Sequence, residues 1–238
     1  MKILITGATS GIGLALTEAY GKAGNQVIAC GRNISKLDHL VDHYSVTPLQ
    51  IELTDYSQLE QKLSQQTELD LVILNAGNCE YINDAINFDG ALFQRVIETN
   101  VISVGYAIAA LLPKIKIGGQ LSLMGSSAAY VPFPRAEAYG SSKAAIHYLA
   151  KTLQLDIPIE RCQISYIAPG FVKTPLTDKN DFPMPNLITA QEAANAIIDG
   201  LASRKKEIRF PYGFTLFLKI MAHLPSLFWT NLANRMKK

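Results

Sequence analysis

The sequence predicts an α/β fold: a doubly wound, mostly parallel sheet of seven strands with helices on both faces, within a single domain. Short apolar runs alternate along the chain with segments whose apolar residues recur at helical spacing, which is the order of β-α-β units. The strand runs are apolar throughout, as expected when both faces of a parallel sheet are covered. The length of 238 residues suits one such domain, and right-handed crossovers then give the doubly wound order.

Each predicted strand is a short apolar run, and in order these are Lys2–Thr6, Gln26–Cys30, Leu49–Leu53, Leu69–Asn75, Gln120–Met124, Gln163–Ala168 and Glu207–Phe210. The predicted helices between them are Gly11–Ala23, Ser35–His43, Tyr56–Gln65, Phe88–Ile115, Tyr139–Ile157 and Ala190–Arg204. Gly24 follows the first helix as a C-terminal stop. The proline-rich stretches Val131–Ala138 and Thr174–Thr189 follow strand ends, where ligands bind in open α/β sheets.

Composition excludes several function classes. The 22 Lys and Arg residues nearly balance the 20 Asp and Glu residues, and a net charge of +2 gives no electrostatic footprint for nucleic acid. The three cysteines lack CxxC spacing and are read as small buried hydrophobes rather than zinc ligands or disulfides: Cys30, Cys79 and Cys162. His39 and His43 lie one helical turn apart on a helix that we read as exposed, so no metal site is predicted.

Targeting signals are weak. The apolar start of the chain ends at Thr6 and Gly7, far short of a signal-peptide core. No uninterrupted apolar stretch reaches the roughly 18 residues of a membrane-span candidate. We therefore expect a reducing, cytoplasmic environment.

A glycine-rich turn joins the first strand to the first helix. Gly7 permits a tight turn, Gly11 lets the backbone approach a pyrophosphate, and Gly13 allows close helix–strand packing. The helix N-terminus adds unpaired N–H groups and a positive partial charge. The alternative is a turn that binds nothing. The candidate phosphate-binding residues here are Gly7, Thr9, Ser10, Gly11, Ile12 and Gly13.

Tyr139 and Lys143 are four residues apart in a predicted helix, so both side chains lie on one face. A lysine ammonium near a phenol favours the phenolate, and we expect it to lower the Tyr139 pKa from about 10 toward neutral pH. Tyr139 is thus a candidate general acid or base. The same spacing arises by chance, in which case the pair is an amphipathic tyrosine beside a solvated lysine.

Together, the G-x-x-x-G-x-G turn and the Tyr-x-x-x-Lys pair make the chain resemble the short-chain dehydrogenase/reductase family in its single-domain branch. The resemblance implies a Rossmann-type fold that binds a nicotinamide dinucleotide and interconverts a carbonyl and an alcohol. Three further segments match the family's order and spacing. Asn75-Ala76-Gly77 resembles the segment beside the cofactor, Asn100 the asparagine credited with holding a relay water, and Pro169-Gly170, with Val172 and Thr174, the segment on the nicotinamide side.

The end of the second strand bears on the choice of nucleotide. Enzymes that select NAD usually carry an acidic residue about 20 residues past the turn, bonded to the ribose 2′-hydroxyl. Gly31 stands at that position, and Arg32 and Asn33 follow it. A guanidinium can bind a 2′-phosphate bidentately, so we predict NADP(H) over NAD(H). The alternative for Arg32 is a solvated loop charge. Glu52 and Leu53 fall where the family's Asp-Val contacts adenine, with Glu replacing Asp.

The resemblance also selects the catalytic residues. The family's spacing before the tyrosine points to Ser126, with Ser127 as the competing choice, and many relatives carry serine where this chain has Gly125. Ser126 and Tyr139 would hydrogen-bond the substrate oxygen where charge develops, and Tyr139 would donate or accept the proton. Lys143 would bond the nicotinamide ribose, and Asn100 would support the proton relay. The alternative for both serines is bonding to the backbone at a strand end.

The C-terminal segment is unusual. We divide the chain into a catalytic domain, residues 1–209, and an apolar and basic tail, residues 210–238, which either belongs to that domain or forms an interfacial helix. Either a tail helix packs over the substrate cleft or a subunit interface, or it lies on a membrane surface with Arg235, Lys237 and Lys238 at the headgroups. Relatives of this kind suggest a homodimer or tetramer.

The leading functional hypothesis is an NADP-dependent oxidoreductase acting on a small-molecule carbonyl or alcohol. Its alternative is a non-catalytic NADP-binding sensor or scaffold of the same fold. A sugar-nucleotide epimerase or dehydratase usually needs a larger C-terminal substrate domain than the residues after Thr174 provide. The substrate loop, about residues 175–189, is short and moderately apolar, and does not identify the substrate.

Overall fold

A central sheet of seven parallel strands organises the molecule, described here over residues 1–234 from a computed structural model. Its strands are β1 Lys2–Thr6, β2 Gln26–Gly31, β3 Val46–Gln50, β4 Leu69–Leu74, β5 Ile115–Met124, β6 Cys162–Pro169 and β9 Glu207–Phe210. Two short strands, β7 Val172–Lys173 and β8 Ile188–Thr189, pair with each other outside the sheet. The strand order β3-β2-β1-β4-β5-β6-β9 confirms the predicted doubly wound fold.

Nine α-helices are resolved over the described range: α1 Gly11–Lys22, α2 Ile34–His43, α3 Tyr56–Ser64, α4 Gly90–Ile97, α5 Ser103–Leu111, α6 Glu137–Asp156, α7 Ala190–Ala202, α8 Tyr212–Met221 and α9 Ser226–Asn234. Several begin where a side chain accepts a hydrogen bond from a first-turn N–H group. Asn33, Asp55 and Asp89 cap α2, α3 and α4, and Thr189 with Glu192 forms a capping box at α7.

The sheet has an apolar core on each face. Along β1, Leu4 points into the core made with α3, α5 and α6, whereas Ile3 and Ile5 point into the core made with α1 and α7. β1 lies between β2 and β4, so the chain reverses its winding direction there. The carboxyl ends of β1 and β4 therefore border the crevice where ligands bind in this architecture.

Most predicted elements differ from the structure by one or two residues, and three differ by more: the third strand, the fifth strand and the long helix. The fifth strand begins at Ile115 rather than Gln120, because Ile115 already pairs with Leu69 of β4. The third strand is Val46–Gln50 rather than Leu49–Leu53, because it is a partly exposed edge strand that pairs with β2 from Val46 onward. The predicted long helix runs over Gly90–Lys114, and a π-helical turn at Glu98–Ile102 interrupts it. Such turns are frequent at functional sites, and this one carries Asn100.

The same helical run is the one within residues 1–234 that is long and apolar enough to cross a membrane by length and composition. Its most apolar window is 44% buried inside the protein, with α5 contributing Val104 and Leu111 to the core. Core helices pass this test too, so the run carries no membrane assignment.

The tail forms two helices, α8 and α9, rather than one. Leu218 and Trp229 are buried in a small cluster with Val131, and the Trp229 indole N–H donates to the Pro132 carbonyl at 2.6 Å. The predicted headgroup cations, Arg235, Lys237 and Lys238, lie outside the described residues. Part of the tail is therefore packed on the loop that follows β5.

Glu207, on the last strand, ties the tail to the body. Its carboxylate accepts hydrogen bonds from Lys219 of α8 at 2.7 Å and from the Tyr130 hydroxyl at 2.6 Å. Lys151 of α6 lies at 3.4 Å and Arg209 at 3.9 Å. Burial opposes the charge, but these hydrogen bonds and cations outweigh it and lower the Glu207 pKa to about 2.

Candidate active site

The glycine turn forms a cradle at the carboxyl end of β1. Gly7 and Gly11 have φ of +67° and +53°, a region that side chains rarely adopt. A Cβ on Gly13 would lie 2.1 Å from the Gly7 carbonyl oxygen, so helix α1 packs against the turn only with glycine there. Ser10 precedes α1 without a side-chain capping bond. The first-turn N–H groups are thus left to a phosphate, which is how a dinucleotide fits this cradle.

The Asn-Ala-Gly segment locks the end of β4 to the end of β1. The backbone N–H groups of Asn75 and Ala76 both donate to the Thr6 hydroxyl, at 3.0 and 3.1 Å. The Asn75 side chain donates to the Thr6 carbonyl at 2.9 Å. Gly77 then passes so close to Lys143 that a Cβ would lie 3.4 Å from its ammonium nitrogen.

The nucleotide end of the cleft is open and carries positive charge. The Arg32 side chain is 78% exposed, and its guanidinium lies 3.7 Å from the Glu52 carboxylate. Asn33 is committed to capping α2, where it accepts a hydrogen bond from the Lys36 N–H group. Lys36 lines the same cleft. Lys36 is a second cation that the sequence pattern does not single out, although it stands only four residues past Arg32.

Glu52 and Leu53 lie beyond the end of β3, not at its end as predicted. Both still line the cleft. Glu52 accepts a hydrogen bond from the Thr54 hydroxyl at 3.2 Å, which turns the chain after the strand.

The reactive end gathers three predicted catalytic residues. Ser126 is buried after β5, and its hydroxyl oxygen accepts from the Ala128 N–H group at 3.1 Å. Tyr139 and Lys143 lie on α6, with the ammonium nitrogen 5.6 Å from the tyrosine ring centroid. Lys143 is buried and donates to the Met124 carbonyl at 3.0 Å.

The electrostatics of this pair correct one expectation. Burial raises the Tyr139 pKa above its ordinary value, Cys79 adds to the rise, and the Ser126 hydroxyl opposes it. Burial also lowers the Lys143 pKa to about 8. The prediction that Lys143 lowers the Tyr139 pKa is therefore wrong for this site, because desolvation of the phenol dominates. Cys79, close to both groups, was not singled out as a site residue from the sequence.

Asn100 is buried behind the cleft, in the π-helical turn. Its side-chain oxygen accepts from the Asn78 N–H group at 2.7 Å, and its amide nitrogen donates to the Asn78 carbonyl at 2.8 Å. The same nitrogen donates to the Ser142 hydroxyl at 2.9 Å. Asn100 thus joins the segment after β4 to helix α6.

The segment after β6 closes the cleft from the other side. Gly170 donates its N–H to the Phe210 carbonyl at 2.7 Å, and Val172 is buried in β7. The Thr174 methyl group lies 3.0 Å from where a Cβ on Gly11 would stand. The substrate loop therefore rests directly against the phosphate cradle.

One continuous cleft of about 810 Å³ joins these parts. Gly13 and Asn100 stand behind its wall, and every other predicted site residue lines it: Gly7, Thr9, Ser10, Gly11, Ile12, Arg32, Asn33, Glu52, Leu53, Asn75, Ala76, Gly77, Ser126, Tyr139, Lys143, Pro169, Gly170, Val172 and Thr174.

The substrate loop is held in place by contacts with residues distant in sequence. The Phe182 ring packs edge-on against Tyr81 at 5.5 Å and against Phe171 at 6.1 Å. Arg135 forms an ion pair with Asp181 at 2.7 Å. Burial raises the Tyr81 pKa and the nearby Tyr139 phenol adds to the rise, so aromatic rings stand beside the reactive end.

Comparison with known proteins identifies the family. The sequence model of the short chain dehydrogenase family matches residues 1–183. The chain belongs to the short-chain dehydrogenase/reductase family. It is accordingly an NAD(P)-dependent dehydrogenase/reductase with a nicotinamide cofactor.

Individual relatives and solved structures are similar to this chain at low sequence identity. An uncharacterised oxidoreductase of Myxococcus xanthus is 28% identical, over 98% of this chain and 96% of its own. A short-chain dehydrogenase of Burkholderia cenocepacia in complex with NADP superposes with a TM-score of 0.85, at 22% identity, over 97% of this chain and 96% of its own. One of Burkholderia phymatum in complex with NAD gives a TM-score of 0.80, at 19% identity, over 92% and 91%. The fold therefore occurs with either nucleotide.

Proposed function

We propose that this protein is an NADP-dependent oxidoreductase that interconverts a small-molecule carbonyl and an alcohol through Ser126, Tyr139 and Lys143. The observation that carries the proposal is the continuity of the cleft, which runs from the glycine cradle to the Tyr139 side chain. The cradle would hold the pyrophosphate, and Gly77, Gly170 and Thr174 would border the nicotinamide half. When bound, the reduced nicotinamide supplies the hydride.

The residues at the reactive end would supply the proton that the substrate oxygen needs. The raised pKa keeps Tyr139 protonated at neutral pH, so it can donate its proton to a substrate oxygen during reduction. The Ser126 hydroxyl oxygen accepts a hydrogen bond from Ala128, so its own proton is available to the Tyr139 phenol and, once substrate binds, to the same substrate oxygen. Lys143, with a pKa of about 8, still carries most of its charge at pH 7.

We assign Asn100 a supporting role in this scheme. Its three hydrogen bonds hold the Asn78 backbone and α6 at a fixed separation. Since Gly77 lies against Lys143, this separation sets the room beside the ammonium. A water in a proton relay beside Asn100 is part of the proposal.

The preference for NADP rests on the nucleotide end. No carboxylate stands at Gly31, and Arg32 and Lys36 both line the cleft there. Two cations suit a 2′-phosphate, and a guanidinium binds it bidentately. The Arg32–Glu52 distance of 3.7 Å leaves that pair loose enough to be exchanged for a phosphate contact.

Turnover is tested by mixing the purified protein with NADPH and a panel of apolar aldehydes and ketones, chosen because aromatic rings border the reactive end. Loss of cofactor absorbance that depends on both substrate and protein supports the proposal. Tight NADPH binding with no turnover across the panel, or across matched alcohols with NADP, would favour the non-catalytic sensor or scaffold instead.

We also propose that the tail contacts an anionic lipid surface. The exposed apolar side chains of α8, α9 and the link between them are Phe217, Ile220, Leu224, Leu227 and Phe228. The sequence after Glu207 contains five Lys or Arg residues and no Asp or Glu. Arg209 and Lys219 pair with Glu207, and the remaining three supply positive charge that suits anionic headgroups. Cytoplasmic location and a homodimer or tetramer stay predictions.

Co-sedimentation with phosphatidylglycerol vesicles tests the lipid proposal. The double variant Leu227→Ser/Phe228→Ser should release the protein from the vesicles, whereas Ile86→Ser, at a site 94% exposed elsewhere on the molecule, should not. Equal sedimentation of both variants, or none by the unmodified protein, would refute it. A change in oligomeric state caused by the double variant alone would instead identify this face as a subunit contact.

A further inference from the structure

The backbone on both sides of the catalytic serine is held by one hydroxyl group. Tyr166, in the middle of β6, is fully buried. Its hydroxyl oxygen accepts from the Ser126 N–H group at 3.2 Å, and the hydroxyl proton is donated to the Ser126 carbonyl at 2.9 Å. The phenol therefore satisfies both backbone polar groups of Ser126 at a point where β5 has ended.

Gly125 is what makes room for this phenol. A Cβ on Gly125 would lie only 2.1–2.2 Å from the ring and hydroxyl atoms of Tyr166. No side chain can therefore stand at position 125 while the Tyr166 ring keeps its place. The Tyr166 ring can occupy its place only because position 125, where many relatives carry serine, is a glycine in this chain.

The surroundings keep the Tyr166 hydroxyl in this role. The His147 ring packs against the Tyr166 ring at 4.7 Å, with the planes tilted by 47°. Burial raises the Tyr166 pKa well above its ordinary value, so the phenol retains the proton that it donates. Held in this way, the Ser126 backbone is extended, with φ of −168° and ψ of 156°, and its hydroxyl accepts from Ala128.

We propose that Tyr166 is a positioning residue for the Ser126 hydroxyl, and that Gly125 exists in this chain to admit it. The role rests on the proposed function, because it acts through Ser126 and not on the substrate. Small displacements of a reacting group are costly in rate, so fixing both backbone groups of Ser126 fixes where its hydroxyl points.

The direct test is Tyr166→Phe, which keeps the ring and removes the hydroxyl. We expect kcat to fall about tenfold, with the dissociation constant for NADPH unchanged, since a misdirected donor retains part of its effect. Ser126→Ala removes the hydroxyl altogether and is the reference for its full effect; its kcat should fall about 100-fold or more. The matched control is Tyr130→Phe, which removes another tyrosine hydroxyl with a short hydrogen bond, to Glu207, without touching Ser126.

Comparing melting temperature with kcat distinguishes a positioning role for Tyr166 from a purely structural one. Both tyrosine variants should unfold at lower temperature, but kcat should fall in Tyr166→Phe alone. A Tyr166→Phe enzyme with the kcat of the unmodified protein would overturn the proposal, as would an equal loss of kcat in Tyr130→Phe.

A rescue experiment tests the pairing itself. Gly125→Ser alone should be severely impaired because its Cβ collides with Tyr166, and Tyr166→Ala alone leaves the space empty. The double variant Gly125→Ser/Tyr166→Ala restores the serine that many relatives carry and should exceed Gly125→Ser in both kcat and melting temperature. No improvement over that single variant would contradict the pairing.

Hydrogen exchange makes the result independent of turnover. The Ser126 amide should exchange faster in Tyr166→Phe than in Tyr130→Phe, because its acceptor has been removed. If the unmodified protein lacks turnover, the proposed function fails but this measurement still decides whether Tyr166 holds Ser126. Unchanged protection at Ser126 would refute the contact.

Discussion

The nucleotide end and the reactive end of the cleft differ in whether main-chain or side-chain groups form them. At the nucleotide end, the binding surface is mostly main chain: glycines of the turn, a helix N-terminus and the Asn-Ala-Gly segment bonded to Thr6. The reactive end depends on side chains held by groups from distant parts of the chain. The Tyr166 hydroxyl bonds the Ser126 backbone, and Arg135 pairs with Asp181.

The difference shows how each end can change. A main-chain surface binds a ligand part common to many enzymes and leaves little room for side chains, as the 2.1 Å approach at Gly13 indicates. A side-chain surface can be altered one contact at a time. Substrate choice is thus free to vary at one end of the cleft while the cofactor cradle stays fixed at the other.

The sharpest way to separate the two ends is Tyr139→Phe. Removing a general acid or base typically costs 10²–10⁴ in rate, so we expect turnover to fall by about that factor or more. NADPH affinity, measured by fluorescence titration, should stay within about threefold, because the cradle is untouched. Substantial residual turnover would refute the role of Tyr139, and a collapse of NADPH binding would show that the two ends are not separable.

This contrast also explains what the sequence could predict. The cradle, Asn75, Tyr139 and Lys143 were identified because their partners are near in sequence or follow a family spacing. Tyr166 was read only as part of an apolar strand, since its partner Ser126 is 40 residues away. Glu207 has a partner 77 residues away, in Tyr130. The Tyr139 pKa was predicted in the wrong direction because the pattern shows the lysine but not the burial.

The carboxylate of Glu207, which ties the tail to the body outside both ends of the cleft, gives the next largest effect. Its folded-state pKa of about 2 lies below the ordinary 4.5, so its stabilisation is complete above about pH 4.5 and is lost as pH falls toward 2. Between pH 7 and pH 3 the loss should be about 2 kcal/mol. Urea unfolding should show the advantage of the unmodified protein over Glu207→Gln shrinking by that amount.

The control for this measurement is Glu60→Gln, on the exposed face of α3. This variant removes a carboxylate from the protein surface and leaves every contact of Glu207 in place. A Glu207→Gln difference that is independent of pH would mean that Lys219, Lys151 and Tyr130 do not stabilise the carboxylate.

A smaller effect probes the nucleotide end through Arg32, one of the two cations that line it. Arg32→Ala should weaken NADPH binding about tenfold and leave NADH binding unchanged, as expected for loss of one charge-assisted phosphate contact. Arg204→Ala, an exposed arginine away from the cleft, serves as the control. Equal or tighter binding of NADH by the unmodified protein would refute the NADP preference.

The smallest expected effect comes from the Arg135–Asp181 ion pair, which holds the substrate loop. Asp181→Asn removes the ion pair with Arg135, which is largely exposed and is therefore weakened by solvent screening. Phe182 still anchors the loop on Tyr81 and Phe171, so we expect KM for the carbonyl to rise two- to fourfold, with kcat and NADPH affinity unchanged. Asp178→Asn, in the same loop, should change nothing. Loss of NADPH affinity in Asp181→Asn would mean that the Arg135–Asp181 ion pair also affects the glycine cradle, through Thr174 beside Gly11. The two ends of the cleft would then be coupled.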